Sequence, residues 1–193
     1  MIILDIEASG KYTIGYGVWQ IGALDTETGN EFIEEARIDD EDNVSEEALK
    51  IIGKTESELR DKNKQSQKQL IQNFLKWAEK CKDKMIAGQN VWWDLIFLQN
   101  KCLKYGLIKD IDEIIGHRVL DLSALAQIKY REKHGKFNIK EGKNAMNLSA
   151  ALEFCGFKEN RRKIIDGKIT EGEPHNALED VKLAEKCFRS LLK

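Results

Sequence analysis

The feature that most constrains the fold is a short apolar segment at the start of the chain, which leads into two acids, Asp5 and Glu7. Met1–Ile6 reads MIILDI, a pattern typical of a buried strand. Residues two apart on a strand share a face, so Ile3, Asp5 and Glu7 point to the same side. Two neighbouring carboxylates in a buried position repel each other unless a cation neutralises them. Because magnesium prefers carboxylate oxygens, the pair indicates a divalent-metal site, with an exposed strand end as the alternative.

The remaining pattern predicts strands first and helices afterwards. Ile14–Leu24 and Glu31–Ile38 read as two further strands joined by the turn Thr28-Gly29-Asn30, which gives an antiparallel meander of three strands. Helices are predicted at Ser45–Ile52, from a capping box at Ser66 to Cys81, and at Trp92–Tyr105, Val119–Arg131, Leu148–Phe154 and Ala177–Leu192, with a short strand at Lys84–Ala87. No linker or repeat interrupts residues 1–193, so we expect a single α/β domain with a central mixed sheet flanked by helices.

Charge is unevenly distributed, although the formal net charge is only −2. Residues 25–47 carry eleven acids and one base, residues 129–143 carry six bases and two acids, and residues 158–168 carry five bases and two acids. A polyanion would approach the second half of the chain and be repelled by the acidic run. The alternative for each run is a merely solvated surface.

The N-terminus and the apolar runs bear on location. No segment approaches the ~18 unbroken apolar residues of a membrane helix. An acid stands at position 5 and no basic region precedes it. We therefore expect no signal peptide, no membrane association and a cytoplasmic location.

Two further acids lie where a helix should be apolar. Asp94 occupies the first turn of the helix at Trp92–Tyr105 and shares its hydrophobic stripe with Phe97 and Leu98. Capping of the helix dipole is the alternative role for Asp94. Asp180 lies on the apolar stripe of the last helix, and His175 precedes that helix by two residues.

Taken together, the three acidic motifs resemble the DEDDh-type 3′–5′ exonucleases. This DnaQ-like family includes bacterial proofreading subunits, ribonuclease T and oligoribonuclease. The matching stretches are Asp-x-Glu within Ile3–Gly10, Asn-x-x-x-Asp within Gly88–Asp94, and His-x-Ala-x-x-Asp at His175–Asp180. They span nearly the whole chain, and the resemblance implies the ribonuclease H-like fold.

The resemblance also implies the roles of the site residues. Two divalent ions, Mg²⁺ or Mn²⁺, would be held by Asp5, Glu7, Asp94 and Asp180, and His175 would be the general base. The tyrosine subtype is excluded because His175 occupies that position.

Two departures from the family pattern affect how a terminal nucleotide would be seated. Ala8 and Ser9 stand where the family usually has two threonines, and Trp92 adds an indole beside the usual aromatic residue at Trp93. We include Ala8, Ser9, Asn90 and Trp92 among the candidate substrate contacts.

The basic run Lys129–Lys143 supplies further candidate contacts. We predict a mobile loop or helix end there that grips the strand through Lys133, Lys136 and Lys140, with Tyr130 and Phe137 as stacking surfaces.

The predicted function is a metal-dependent 3′–5′ exonuclease that acts on single-stranded 3′ ends, with DNA slightly favoured. An exoribonuclease of the ribonuclease T or oligoribonuclease type is the main alternative. A non-catalytic module that binds nucleic-acid ends is a third reading, and a polymerase or another replication or repair protein is a candidate partner. The sequence leaves the oligomeric state open.

Overall fold

The computed structural model describes residues 1–165 and 168–193. Its strands are β1 (Ile2–Ala8), β2 (Val18–Asp25), β3 (Glu31–Glu35), β4 (Ile86–Gly88), β5 (Val119–Asp121), β6 (Ile139–Lys140), β7 (Lys143–Asn144), β8 (Ile164–Ile165) and β9 (Lys168–Ile169). Its helices are α1 (Glu46–Ile52), α2 (Glu56–Leu59), α3 (Gln67–Lys80), α4 (Trp92–Tyr105), α5 (Ile108–Ile114), α6 (Leu122–His134), α7 (Leu148–Phe154) and α8 (Ala177–Leu191). The basic run at residues 158–168 includes Asp166 and Gly167, which lie outside the described residues.

The central sheet has five strands in the order β3-β2-β1-β4-β5. β1 pairs antiparallel with β2, and β2 pairs antiparallel with β3, which confirms the predicted meander. β4 lies parallel to β1 and β5 parallel to β4. Parallel neighbours need a crossover, and the helices between these strands provide it. The result is a mixed sheet in an α/β fold, with β1 at its centre.

The two faces of β1 are used as its alternating pattern predicts. Ile2, Leu4 and Ile6 pack into a core with α3, α4 and α5. Ile3 packs into a second core with α6, α7 and α8. Asp5 and Glu7 share the face of Ile3, so both carboxylates point to the side of the sheet that carries α8.

Several of the predicted helices agree closely with the structure. α4 and α7 begin and end where predicted, and Ser45 caps α1. The prediction of one helix over Val119–Arg131 is wrong, because its first three residues form β5 and α6 continues to His134. A strand of three residues shows no period, and only the Asp121 side chain, which accepts from the amide of Ala124, marks the start of α6.

Turn geometry and short elements account for the other differences. β2 begins at Val18 rather than Ile14, since Gly15 adopts a left-handed turn conformation with φ 80°. α2, α5 and the two short hairpins β6–β7 and β8–β9 are not predicted by the sequence pattern. With four residues in α2 and two in each hairpin strand, these elements are too short to show a hydrophobic period, whereas α5 is as long as α1 and α7.

The acidic run at residues 25–47 is more than a solvated surface. Asp42 is buried and its Oδ1 lies 2.6 Å from the buried Nζ of Lys101. Asp39 pairs with Lys104, and Glu35 with Lys64 at 2.6 Å. Several acids of the run are therefore structural and tie β3 and the segment after it to α4 and to the turn before α3. Among the described residues, no helix is both long and apolar enough to span a membrane.

Candidate active site

The centre of the site is the face of β1 that carries Asp5 and Glu7. Glu7 is buried and Asp5 is partly buried, and in the register they lie opposite Gln20 and Gly22 of β2. Both carboxylates are therefore carried by the central strand of the sheet, which pairs with β2 along its whole length and with β4 only at Ile2 and Ile3.

Asp94 reaches this face from α4. It is 4% exposed, and its Oδ1 accepts a hydrogen bond of 2.9 Å from the amide of Ile6, the residue between the two β1 acids. The carboxylate thus bridges from the first turn of α4 to β1. Asp94 is also the acid in the first turn of α4, so the interaction with the helix dipole and the contact with β1 coexist.

The position of α8 depends on a hydrogen bond with Gln20 and on the absence of a side chain at Gly22. The Oε1 of buried Gln20 accepts from the amide of Ala177 at 2.9 Å, which fixes the first residue of the helix over β2. A Cβ on Gly22 would collide with the backbone of Ala177, so only glycine permits this close approach. The Asn176 side chain accepts from the amides of Leu178 and Glu179 and caps the helix.

This placement brings His175 and Asp180 to the β1 acids. Glu7, His175 and Asp180 each offer one atom, and these three atoms lie within 4.8 Å of one another. His175 Nδ1 lies 3.7 Å from Asp180 Oδ2. Its Nε2 lies 2.8 Å from the carbonyl oxygen of Arg162 and therefore donates the proton of that contact, which leaves the lone pair on Nδ1.

Burial and mutual repulsion raise the carboxyl pKa values. The pKa of Asp5 lies well above its ordinary value because of desolvation, with the charges of Asp94, Asp180 and Glu7 adding to the effect. The pKa of Glu7 is raised well above its ordinary value for the same reasons, and desolvation raises the pKa of Asp94 to about 8. The cluster is costly to ionise without a counter-charge.

Arg161 provides part of that counter-charge. Its Nη1 lies 2.5 Å from Asp180 Oδ2, and its Nε lies 2.6 Å from Oε2 of the buried Glu159. Desolvation raises the pKa of Asp180, and the charges of Arg161 and His175 oppose that rise. Asp180 is therefore an ion-paired acid, although it lies on the apolar stripe of α8.

The donor set fits divalent cations. Asp180 Oδ1 is buried and has no hydrogen-bond partner among the described residues, so one oxygen is left for a ligand. The other donors are carboxylate oxygens of Asp5, Glu7 and Asp94, the type that Mg²⁺ and Mn²⁺ prefer. Four carboxylates bring up to four negative charges, which two divalent ions would balance.

Two cavities meet at Asp5, His175 and Asp180. One of about 430 Å³ is lined by Gln89, Asn147, Ser149 and the basic residues Arg161, Arg162 and Lys163, and we call it the basic cavity. The other, of about 450 Å³, is lined by Ala8, Tyr16, Ala48, Ile52 and Trp93, and we call it the aromatic cavity. A chain molecule bound across the acids would contact three cations together with Leu148 on one side, and aromatic and apolar side chains together with Lys11 and Glu47 on the other.

Of the predicted substrate contacts Ala8, Ser9, Asn90 and Trp92, only Ala8 lines a cavity. Ala8 lines the aromatic cavity. Ser9 is fully buried, and its hydroxyl donates to the carbonyl of Asn43 and accepts from the amide of Gly17. Asn90 and Trp92 are exposed, bond each other at 2.7 Å, and line neither cavity.

The three predicted lysine contacts lie at the end of α6 and in the segment that follows it. Lys133 lies in the last turn of α6, Lys136 just after it and Lys140 in the β6–β7 hairpin. None of the three lines either cavity. The predicted loop or helix end is thus a helix end followed by a short hairpin.

Several lining residues were not predicted as site residues. Trp93, not Trp92, faces the aromatic cavity, and its ring packs edge-on against Phe97 with centroids 5.2 Å apart. The helical period of the sequence could have identified Trp93, because residues 93 and 97 are one turn apart on the buried stripe. In the sequence, Arg161 is only one base of the basic run at residues 158–168, and no sequence pattern indicates a site role for Gln89.

Comparisons with known proteins give a family and a fold. The family model RNase_T, described as an exonuclease, matches residues 2–188. No curated protein matches. Among solved structures, Escherichia coli Exonuclease I in complex with a dT13 oligonucleotide is similar with a TM-score of 0.74 and 18% identity, over 100% of this chain and 40% of that chain.

Two other similar structures come from 3′-exonucleases. The nuclease domain of 3′hExo, a DEDDh family member bound to rAMP, has a TM-score of 0.69 and 18% identity, over 99% of this chain and 90% of that chain. A 3′-exonuclease that recognises a histone mRNA stem-loop has a TM-score of 0.66 and 15% identity, over 98% and 62% of the respective chains. At these identities the likeness concerns the fold, and the family model supplies the assignment: the chain belongs to the RNase_T exonuclease family.

Proposed function

We propose that this protein is a metal-dependent 3′–5′ exonuclease that removes nucleoside 5′-monophosphates from single-stranded ends, with DNA ahead of RNA. The observation that carries the proposal is the convergence of Asp5, Glu7, Asp94 and Asp180 with His175, from three different elements, where two cavities meet. Residues 1–193 act as one exonuclease domain.

Each group has a role in phosphodiester hydrolysis. The four carboxylates would hold the cations, and bound Mg²⁺ or Mn²⁺ would supply Lewis-acid stabilisation of the phosphate charge. His175 accepts the proton of the attacking water at Nδ1, since its Nε2 is occupied by the carbonyl of Arg162. That same hydrogen bond orients the ring.

The aromatic cavity suits the terminal nucleotide. Its walls include Tyr16, Ala48, Ile52 and Trp93, which offer apolar and aromatic surface to a base and sugar. Glu7 and Ala8 also line this cavity, and Ala8 is one of the positions at which the sequence departs from the family pattern. Seating of the last nucleotide there places its phosphate at the acids.

DNA and RNA remain to be separated by experiment. Exonuclease I carries a dT13 oligonucleotide, and 3′hExo carries rAMP, so similar folds hold both chemistries. The exoribonuclease reading is the second candidate for this reason. A polymerase or another replication or repair protein remains a proposed partner.

The test uses matched DNA and RNA oligonucleotides with a 5′ label. We expect a ladder of products shortened from the 3′ end in Mg²⁺ or Mn²⁺, release of 5′-monophosphates, and no cleavage in EDTA. Faster loss of RNA would favour the exoribonuclease. Binding without cleavage by the wild-type protein in either metal would contradict catalysis and favour the end-binding module.

A further inference from the structure

The inference concerns Arg161, a cation inside the acid cluster. Its side chain is 12% exposed, and it lies between Asp180 and Glu159, whose side chains are 7% and 5% exposed. A guanidinium carries five N–H donors in a rigid fork, and the two ion pairs use Nη1 and Nε. Donors remain for a further anion on the side of the basic cavity, which Arg161 lines.

Glu159 keeps Arg161 in place independently of Asp180. Its carboxylate contacts Arg161 Nε at 2.6 Å and Lys163 Nζ at 2.9 Å. Because these contacts do not involve Asp180, they would hold the guanidinium near the acids when a cation balances the charge of Asp180. A phosphate could then take the place of Asp180 as the second partner of Arg161, because phosphate oxygens match the fork geometry of the guanidinium.

The two cavities give the direction of the strand. The aromatic cavity holds the terminal nucleotide in the proposed function, so the rest of the strand leaves the acids through the basic cavity. That cavity brings Arg161 and Lys163 to the path of the next phosphates. Arg162 also lines this cavity, and its Nε and Nη1 donate to the carbonyls of Gly172 and Lys50.

We propose that Arg161 is a phosphate-binding residue of the substrate strand, held by Glu159 at the boundary between the acids and the basic cavity. This rests on the proposed function. It makes Arg161 a competitor of the cations for Asp180 in the free protein and a ligand of the nucleic acid in the complex.

The test separates these two roles in Arg161→Gln. Arg189→Gln is the matched control, since Arg189 lies at the exposed end of α8 and pairs only with Glu185 among the described residues. Mn²⁺ affinity is measured by calorimetry without nucleic acid. Oligonucleotide affinity is measured by fluorescence anisotropy in Ca²⁺ at several salt concentrations, with the oligonucleotide checked for integrity.

We expect opposite effects on the two ligands. Arg161→Gln should bind Mn²⁺ at least as tightly as wild type and the oligonucleotide about tenfold or more weakly. Its slope of log affinity on log salt should shrink by about 0.7, the value of one contact on a single strand. Arg161→Lys, which keeps the charge but loses the fork, should bind the oligonucleotide with intermediate affinity, and it carries the test if the glutamine variant does not fold.

Two outcomes would overturn the inference. Parallel loss of Mn²⁺ and oligonucleotide affinity would mean that Arg161 only holds Asp180 in position. Oligonucleotide affinity equal to that of Arg189→Gln would mean that no phosphate is bound. Wild-type protein that cleaves while the variant binds normally refutes this inference alone, whereas wild-type protein that neither binds nor cleaves refutes the proposed function and this inference together.

Discussion

Replacement of Asp94 by Asn isolates the charge at the acid cluster. Asp94 Oδ1 accepts from the amide of Ile6 at 2.9 Å, and the amide oxygen of Asn can accept the same hydrogen bond. The variant therefore keeps the link between α4 and β1 and loses only the ionisable group. We expect it to lose turnover and the stabilisation by metal, and to become more stable relative to the metal-free wild type as pH rises.

The pH dependence follows from the pKa of Asp94, which folding raises from 3.8 to about 8. Between these values the folded protein retains a proton that the unfolded chain releases. Stability from this group is thus fully present below the unfolded pKa and is lost as pH rises, by about 1.4 kcal/mol per pH unit for one proton. From pH 5 to pH 7, the wild type should lose about 3 kcal/mol that Asp94→Asn does not lose.

A pH-independent change in the free energy of unfolding of Asp94→Asn does not affect the predicted pH dependence. The new amide nitrogen of Asn is buried and can cost about 1–3 kcal/mol at every pH if it finds no partner. The diagnostic quantity is therefore the change with pH of the difference between the two proteins. The variant should also lower the pKa of Asp5, because the charge of Asp94 is one cause of its raised value, and this change acts in the same direction.

Urea unfolding in EDTA at pH 5, 6, 7 and 8 measures this difference, and the series is repeated with Mn²⁺. Asp121→Asn is the control for metal binding, because Asp121 accepts from the amides of Val91 and Ala124 and lies on β5, which β4 separates from β1. The control should keep the stabilisation by Mn²⁺. Parallel stability curves for wild type and Asp94→Asn, or full Mn²⁺ stabilisation of Asp94→Asn, would refute the reasoning.

Three further substitutions test other parts of the site. His175→Ala should lower kcat by about 10²–10⁴-fold with near-normal calorimetric Mn²⁺ affinity, and a collapse of that affinity would make His175 a ligand instead of a base. Gly22→Ala should destabilise the protein by about 1–3 kcal/mol in urea unfolding, because the new Cβ displaces Ala177 at the start of α8, and unchanged stability would contradict the close approach. Replacement of Lys133, Lys136 and Lys140 by Glu should raise KM more than it lowers kcat if these lysines bind the strand. An equal loss of activity when the exposed Lys62, Lys68 and Lys80 are replaced by Glu would mean that only the net charge matters.

The sequence predicts those parts of the site that depend on local pattern. Period two on β1 assigns Asp5 and Glu7 to one face, and period 3.6 on α4 assigns Asp94 to the buried stripe. Both assignments agree with the packing of Ile3 and of Phe97. The same helical phase would have selected Trp93 over Trp92, since Trp92 lies one turn from the exposed Ile96.

The parts that the sequence does not predict depend on contacts between distant segments. The position of α8 follows from a hydrogen bond between Gln20 and Ala177 across 157 residues, together with the absence of a side chain on Gly22. Neither feature has a local signature, because a buried Gln and a strand Gly are common without such a role. Arg161 illustrates the same limit. As one of five bases in a run it predicts only a positive surface, yet its burial between Glu159 and Asp180 makes it part of the acid cluster. A charge run therefore gives the sign of a surface, whereas the partner of each charge is fixed by tertiary packing, and for Arg161 that partner decides whether it acts as a structural ion or as a ligand of phosphate.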